Sequence, residues 1–141
     1  MNKESIPKEL LHSHNLRTTG CRQGILEILG KAGQALTENE LKNLLENRHD
    51  RTTFYRSFKT LIENHIIHKI VIDNHLVKYA LNPAHEAYRE HVHFYCKACD
   101  KLVCIKDAPV SAFSLPAGFK AAETEVIIKG TCQSCDKKID N

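Results

Sequence analysis

Cys96-Lys97-Ala98-Cys99 and Cys132-Gln133-Ser134-Cys135 are two C-x-x-C pairs separated by an insert long enough to fold. Each pair can present two sulfurs from one tight turn, and two such turns complete a tetrahedron. That is the ligand spacing of a closed four-cysteine zinc site, where thiolates hold an ion that has no redox chemistry of its own. The other readings of these residues are disulfides or a redox dithiol. A redox pair usually occurs singly, on a βαβ unit, and no such unit is legible here. Cys96, Cys99, Cys132 and Cys135 are therefore expected to hold one structural Zn2+.

His91-Val92-His93 places two imidazoles at i and i+2, which share a face if the segment is a strand. Alone, this pattern also describes two solvated histidines. Cys104, in the next strand-like run, reads by itself as a small buried hydrophobe, His68 as a surface histidine, and Cys21 as a helix-core thiol. There is no Gly-rich phosphate loop and no G-x-S-x-G. Every sulfur has a simpler reading as ligand or core than as nucleophile, so the chain is not expected to be an enzyme.

A second kind of chemistry lies in the run 50–64. Phe54, Phe58, Leu61 and His65 fall along one stripe of a helix capped by Asp50 or Thr52. Thr52, Tyr55, Arg56, Lys59 and Glu63 fall roughly opposite. Such a face can be simply solvated. It also has the composition of a DNA recognition helix, with cations for phosphates and guanine edges and Tyr and Thr for thymine methyls and backbone.

The elements that must position these groups divide the chain. Helices are expected over 3–14, from Thr19 to about Lys31, and from a capping box at Thr37 and Glu40. The third of these should bury Leu41, Leu44 and Leu45. After the fourth helix, 66–81 changes to strand period around Asp73-Asn74, a turn dipeptide. Helices followed by a hairpin make a winged helix. Asn82-Pro83 ends it and 83–90 reads as a linker. Strands are expected over 91–96, 102–106 and 123–129, with at most a short helix near Pro109, Pro116 and Gly118. The expected fold is α+β, with a winged-helix domain over 1–82, a hinge over 83–90 and a small α/β dimerisation and metal-binding domain over 91–141. So small a second domain needs a staple or a partner subunit.

The 141 residues suffice for one ordinary domain or two small ones, and 42% hydrophobic with 26% charged is ordinary for a globular protein. Residues 1–82 carry 12 Lys and Arg against 9 Asp and Glu, whereas 83–141 carry 8 against 8. The excess thus sits with the recognition helix, where a polyanion would meet it. No apolar run approaches the roughly 18 residues of a membrane span. Lys3, Glu4, Lys8 and Glu9 leave no signal-peptide core at the start. A cytoplasmic location with no membrane partner is expected, which argues against a disulfide framework.

A winged helix followed by paired C-x-x-C knuckles resembles the ferric uptake regulator family of metal-dependent bacterial transcription regulators. The resemblance runs from about Leu16 to Cys135. Leu16-Arg17-Thr18 with Arg22, Ile25 and Leu26 is similar to that family's L-R-x-T-x-x-R-x-x-I-L stretch. Thr53-Phe54-Tyr55-Arg56 is similar to its T-V-Y-R signature, and His91-x-His93-x-x-Cys96-x-x-Cys99 to its H-x-H-x-x-C-x-x-C strand. The resemblance implies a homodimer on palindromic A·T-rich double-stranded operators. Tyr55 and Arg56 would lie in the major groove with Thr52, Thr53 and Lys59 on the same helix, and Arg17 near the minor groove. It implies a repressor of metal-homeostasis genes with a regulatory metal in addition to the structural zinc.

The chain departs from the family pattern at informative places. The usual secondary-site positions fall at Glu90, Val92, Ser111 and Thr124, and of these only Glu90 is a strong ligand. Gln34-Ala35 and Ala80 stand where iron-type members have a His and a Glu. His68 falls where zinc-sensing members place a His or Asp, and Cys104 where the family usually has Glu. With His91 and His93 this makes a set of three imidazoles and one thiolate, which suits tetrahedral Zn2+ better than octahedral Fe2+. Zinc sensing is the first expectation, an iron- or other-metal-sensing member the second, and a site that has lost regulation the third. A zinc-ribbon module for protein or RNA, and a thiol oxidoreductase, are readings from other classes. The first would lack salt-dependent duplex affinity, and the second would turn over disulfides.

Overall fold

The computed structural model describes residues 5–46, 48–82, 91–105, 114–122 and 124–139. The chain divides into two compact units, residues 1–87 and 88–141. The expected hinge over 83–90 lies outside the described residues.

In the first unit, four helices precede a hairpin: α1 (Ser5–Ser13), α2 (Gly20–Ala32), α3 (Glu38–Leu44) and α4 (Arg51–Glu63), then β1 (Ile67–Val71) and β2 (Val77–Leu81). The helix starts follow side-chain capping of otherwise unpaired N–H groups. Thr19 Oγ1 accepts from Arg22 N, Thr37 Oγ1 from Glu40 N, and Asp50 Oδ1 from Thr53 N at 2.8 Å. α2 stops at Gly33, whose φ of 63° is the left-handed conformation that glycine adopts without a Cβ clash.

The helices close over Leu11, Ile25, Leu41 and Leu61, all fully buried. Two expectations fail here. Leu44 is 55% exposed, because α3 ends there and it is Leu45 that turns inward. His65 is not on the apolar stripe of α4: the helix ends at Glu63, and His65 takes a φ of 58° at the exposed turn into β1.

β1 and β2 pair antiparallel, Ile67 opposite Leu81 through Val71 opposite Val77. The connection is longer than a two-residue turn, with Asp73 Oδ1 accepting from the backbone N–H of His75 and Leu76. The hairpin is tied back at two points. Tyr79 exchanges backbone hydrogen bonds with Leu36 at 2.7 and 2.9 Å. Its ring meets Phe58 of α4 edge-on at 4.5 Å between centroids. The hairpin and α4 are therefore joined through this aromatic contact.

Among the described residues, the second unit holds a three-stranded sheet of order β4-β3-β5, with β3 (His91–Cys96), β4 (Leu102–Ile105) and β5 (Glu125–Gly130), followed by α5 (Gln133–Ile139). β3 pairs antiparallel with β4 and parallel with β5. The fifth strand begins at Glu125 rather than 123, and α5 is an element that the sequence reading does not anticipate.

Candidate metal centre and nucleic-acid interface

The parallel β3–β5 pairing decides where the cysteines go. Parallel strands end at the same edge, and the register sets Cys96 opposite Gly130. Both C-x-x-C turns therefore begin side by side. Lys97 N donates to Gly130 O at 2.8 Å, which locks one turn to the other strand's end. A Cβ at Gly130 would lie 3.2 Å from the Phe94 ring, a tight contact that glycine avoids. In the first knuckle Asp100 N closes back on Cys96 O, with Asp100 at a φ of 63° and its carboxylate accepting from the Tyr95 hydroxyl. In the second, Asp136 N bonds Cys132 O as α5 starts, which carries Cys135 back toward Cys132.

The ligand atoms of Cys96, Cys99, Cys132 and Cys135 all lie within 4.8 Å of one another. The sulfurs of Cys99 and Cys132 are 3.8 Å apart. A disulfide needs about 2.05 Å, whereas a tetrahedron with metal–sulfur bonds of about 2.3 Å has edges of about 3.8 Å. The four cysteines are free thiols in an arrangement that fits a tetrahedral ion. Backbone N–H groups stabilise negative sulfur here: Cys132 N donates to Cys96 Sγ at 3.3 Å. That bond, with the N–H groups of Cys99 and Ala98, lowers the Cys96 thiol to about 6. Cys132 is lowered too, chiefly by Cys135 N–H, whereas the Cys135 thiol is pushed up to about 12 by the neighbouring sulfurs of Cys132 and Cys99. Four sulfurs this close become thiolates together only around a cation, and the set fits a soft divalent one.

His93 and Cys104 are register partners across β3 and β4. Both ring nitrogens of His93 are buried, and Glu125 Oε1 lies 3.8 Å from its Nε2. His91 opens β3 opposite Glu125. Three of the four expected regulatory positions thus belong to one small sheet. His68 belongs to the first unit, on β1 opposite Ala80, with both ring nitrogens buried.

On α4, Phe54, Ser57, Phe58 and Leu61 are buried. Thr52, Tyr55, Arg56 and Lys59 are exposed, as the sequence period requires, and Thr53 is exposed beside them. Lys59 keeps a long contact of 3.7 Å to Glu63, both well exposed, so this pair holds little of its charge back. Asp50 caps the positive end of the helix, and its hydrogen bonds from Thr53 hold its carboxyl below the usual range. Arg17 lies just before α2, its carbonyl accepting from Arg22 Nη1 at 2.8 Å.

The family model for the ferric uptake regulator family matches residues 13–128. The chain belongs to the ferric uptake regulator family. No curated protein matches it. Among solved structures it is similar to a zinc uptake regulator complexed with zinc and DNA, at 17% identity and a TM-score of 0.74, covering 100% of this chain and 99% of that one. It is similar to a holo XcZur at 20% identity and 0.71, with 96% of each chain covered. The Helicobacter pylori ferric uptake regulator, described as having three functional metal-binding sites, aligns at 17% and 0.61 over 96% of this chain and 95% of that chain. At these identities the likeness concerns the fold. The family consists of metal-responsive transcription regulators, and no described helix is long and apolar enough to cross a membrane.

Two residues of this family member escape the sequence reading. Glu125 reaches His93 only because β5 lies parallel to β3, a pairing that strand period alone does not reveal. Lys42 of α3 reaches the Tyr55 hydroxyl at 2.8 Å. Helical spacing places Lys42 on the polar side of α3 but does not say that this side faces α4.

Proposed function

We propose that this chain is a zinc-responsive DNA-binding regulator, acting as a homodimeric repressor on A·T-rich palindromic operators. The observation that carries the DNA reading is the face of α4. Its buried side packs against the wing, and Thr52, Thr53, Tyr55, Arg56 and Lys59 are left exposed. Arg17 is the candidate for a minor-groove contact. The fold neighbour that carries both zinc and DNA supports the same reading.

Cys96, Cys99, Cys132 and Cys135 would hold a structural Zn2+, which supplies fixed tetrahedral geometry and no reactivity. His91, His93 and Cys104, with His68 as the fourth donor, would hold the regulatory ion. Imidazole and thiolate donors together favour Zn2+ there. The carboxylate of Glu125 beside His93 favours instead a harder ion such as Fe2+ or Mn2+. The deciding experiment is metal analysis of the purified protein, with operator affinity measured across a series of added metals. Stimulation by Zn2+ at the lowest free concentration supports the proposal. Stimulation by Fe2+ or Mn2+ alone selects the second reading, and binding indifferent to every metal removes both.

A further inference from the structure

Lys42 stands on α3, outside the helix read as contacting DNA, yet its ammonium is engaged with that helix. Nζ donates to the Tyr55 hydroxyl oxygen at 2.8 Å. The same nitrogen lies 4.4 Å from the centroid of the Tyr55 ring and 5.4 Å from that of Phe54. Glu38, one turn earlier on α3, lies 3.7 Å away. On Tyr55 itself, the Arg51 guanidinium lies 5.6 Å from the ring centroid, and Phe54 meets the ring edge-on at 5.7 Å. An aromatic side chain that is 38% exposed is thus held by three neighbours. Lys42 is only 29% exposed along its side chain, well covered for a surface lysine.

The direction of the hydrogen bond has a chemical consequence. An ammonium can only donate, whereas a phenol has one proton and oxygen lone pairs. With Lys42 donating to the oxygen, the Tyr55 proton is left to point elsewhere. A charge-assisted bond to the oxygen polarises the O–H and strengthens it as a donor. The ammonium also repels any second donor approaching that oxygen. In the major groove, guanine N7 and O6, adenine N7 and thymine O4 accept, while the cytosine N4 and adenine N6 amines donate.

We propose that Lys42 is a positioning and specificity-determining residue for DNA recognition. It fixes the Tyr55 ring and makes its hydroxyl a donor, so the position facing Tyr55 is biased toward a guanine, thymine or adenine N7 acceptor and against the cytosine amine. This inference rests on the reading of α4 as the DNA-contacting helix.

The test is a double-mutant cycle on the full metal-loaded chain, using Lys42→Met and Tyr55→Phe, with operator binding measured over a salt series. Lys42→Met keeps the apolar stem beside Phe54 and removes only the ammonium. It should weaken specific binding about tenfold, the effect of one charge-assisted hydrogen bond, and leave the salt slope unchanged. In the Tyr55→Phe background it should cost nothing further, and Lys42→Arg, which still donates, should restore binding. Selection from randomised duplexes should show both variants relaxing preference at the same base position. Equal losses in both backgrounds, with a salt slope lower by about one, would make Lys42 a phosphate contact and overturn the inference. No loss at all in Lys42→Met overturns it as well. A wild-type chain with no affinity for any duplex defeats the DNA reading itself, a result distinct from an additive cycle in a chain that binds.

Discussion

His93 and Cys104 stand directly opposite each other in the antiparallel β3–β4 ladder, and His93 is almost completely buried. Register partners share a sheet face, with Cβ atoms about 4.5–5.5 Å apart. An imidazole and a thiol are thereby placed on one face of the sheet, whereas among the described residues it is the four cysteines whose ligand atoms gather within 4.8 Å of one another. Cys104, which by itself reads as a small buried hydrophobe, thus shares a strand face with one of the histidines that the family resemblance sets beside it.

The first prediction tests that pairing. Protein already loaded with zinc at its four-cysteine site, then titrated with Co2+, should develop a thiolate-to-cobalt absorption band from Cys104. Cys104→Ser should lose that band and the metal stimulation of DNA binding, and His68→Ala should lose the stimulation while the zinc content stays. An unchanged band in Cys104→Ser would show that the thiol is a core residue and no ligand.

The exposed face of α4 leads to the second. Arg56→Ala should cost about 1–3 kcal/mol on a specific operator and relax discrimination there, if its guanidinium meets a base edge. Lys59→Ala should weaken all duplexes alike and lower the salt slope by about one, if its ammonium meets phosphate. Gel-shift or fluorescence titrations at several salt concentrations separate the two effects. Full affinity in both variants would move the interface elsewhere.

What is legible in the sequence follows local rules. Helix starts are visible because Thr19, Thr37 and Asp50 cap by side-chain chemistry, and the four-cysteine set because ligand spacing is itself local. The errors come where an element stops. Leu44 is exposed and His65 lies outside α4 because those helices end before another turn could bury them. The parallel β3–β5 pairing, the approach of Glu125 to His93 and that of Lys42 to Tyr55 are long-range, and no periodicity encodes which strand or helix becomes a neighbour.

The third prediction concerns acid. Asp50 has a folded carboxyl below its ordinary range because the Thr53 hydroxyl and N–H hydrogen-bond the carboxylate. A depressed pKa stabilises the fold above the unfolded value, about 3.9 for Asp, and that contribution disappears as pH falls through the folded value. Asn caps a helix about as well without the charge. Thermal melts should therefore show wild type above Asp50→Asn near neutral pH, with the gap closing under strong acid. A gap that persists when the carboxyl is protonated would mean that geometry, and no charge effect, separates the two caps.

The last prediction follows from how little the second unit buries. Among the described residues, its buried apolar side chains are Val92, Cys96 and Leu102, whereas the first unit has sixteen. Three side chains cannot offset the backbone entropy of ordering three strands and a helix, about 1–2 kcal/mol per residue. The sheet is therefore expected to depend on an ion held between its two knuckles, and β5 most of all. β5 reaches β3 across an insert, and both turns at the end of that pairing carry the ligands. Removing zinc with a strong chelator, or substituting Cys96→Ser, should melt the second unit while the first keeps its helices. Amide hydrogen exchange should show protection lost over 91–105 and 125–139 and retained in α2 and α4, and any dimer should dissociate at the same time. Protection of Val92 and Val126 that survives complete zinc removal would show that the sheet stands on packing alone.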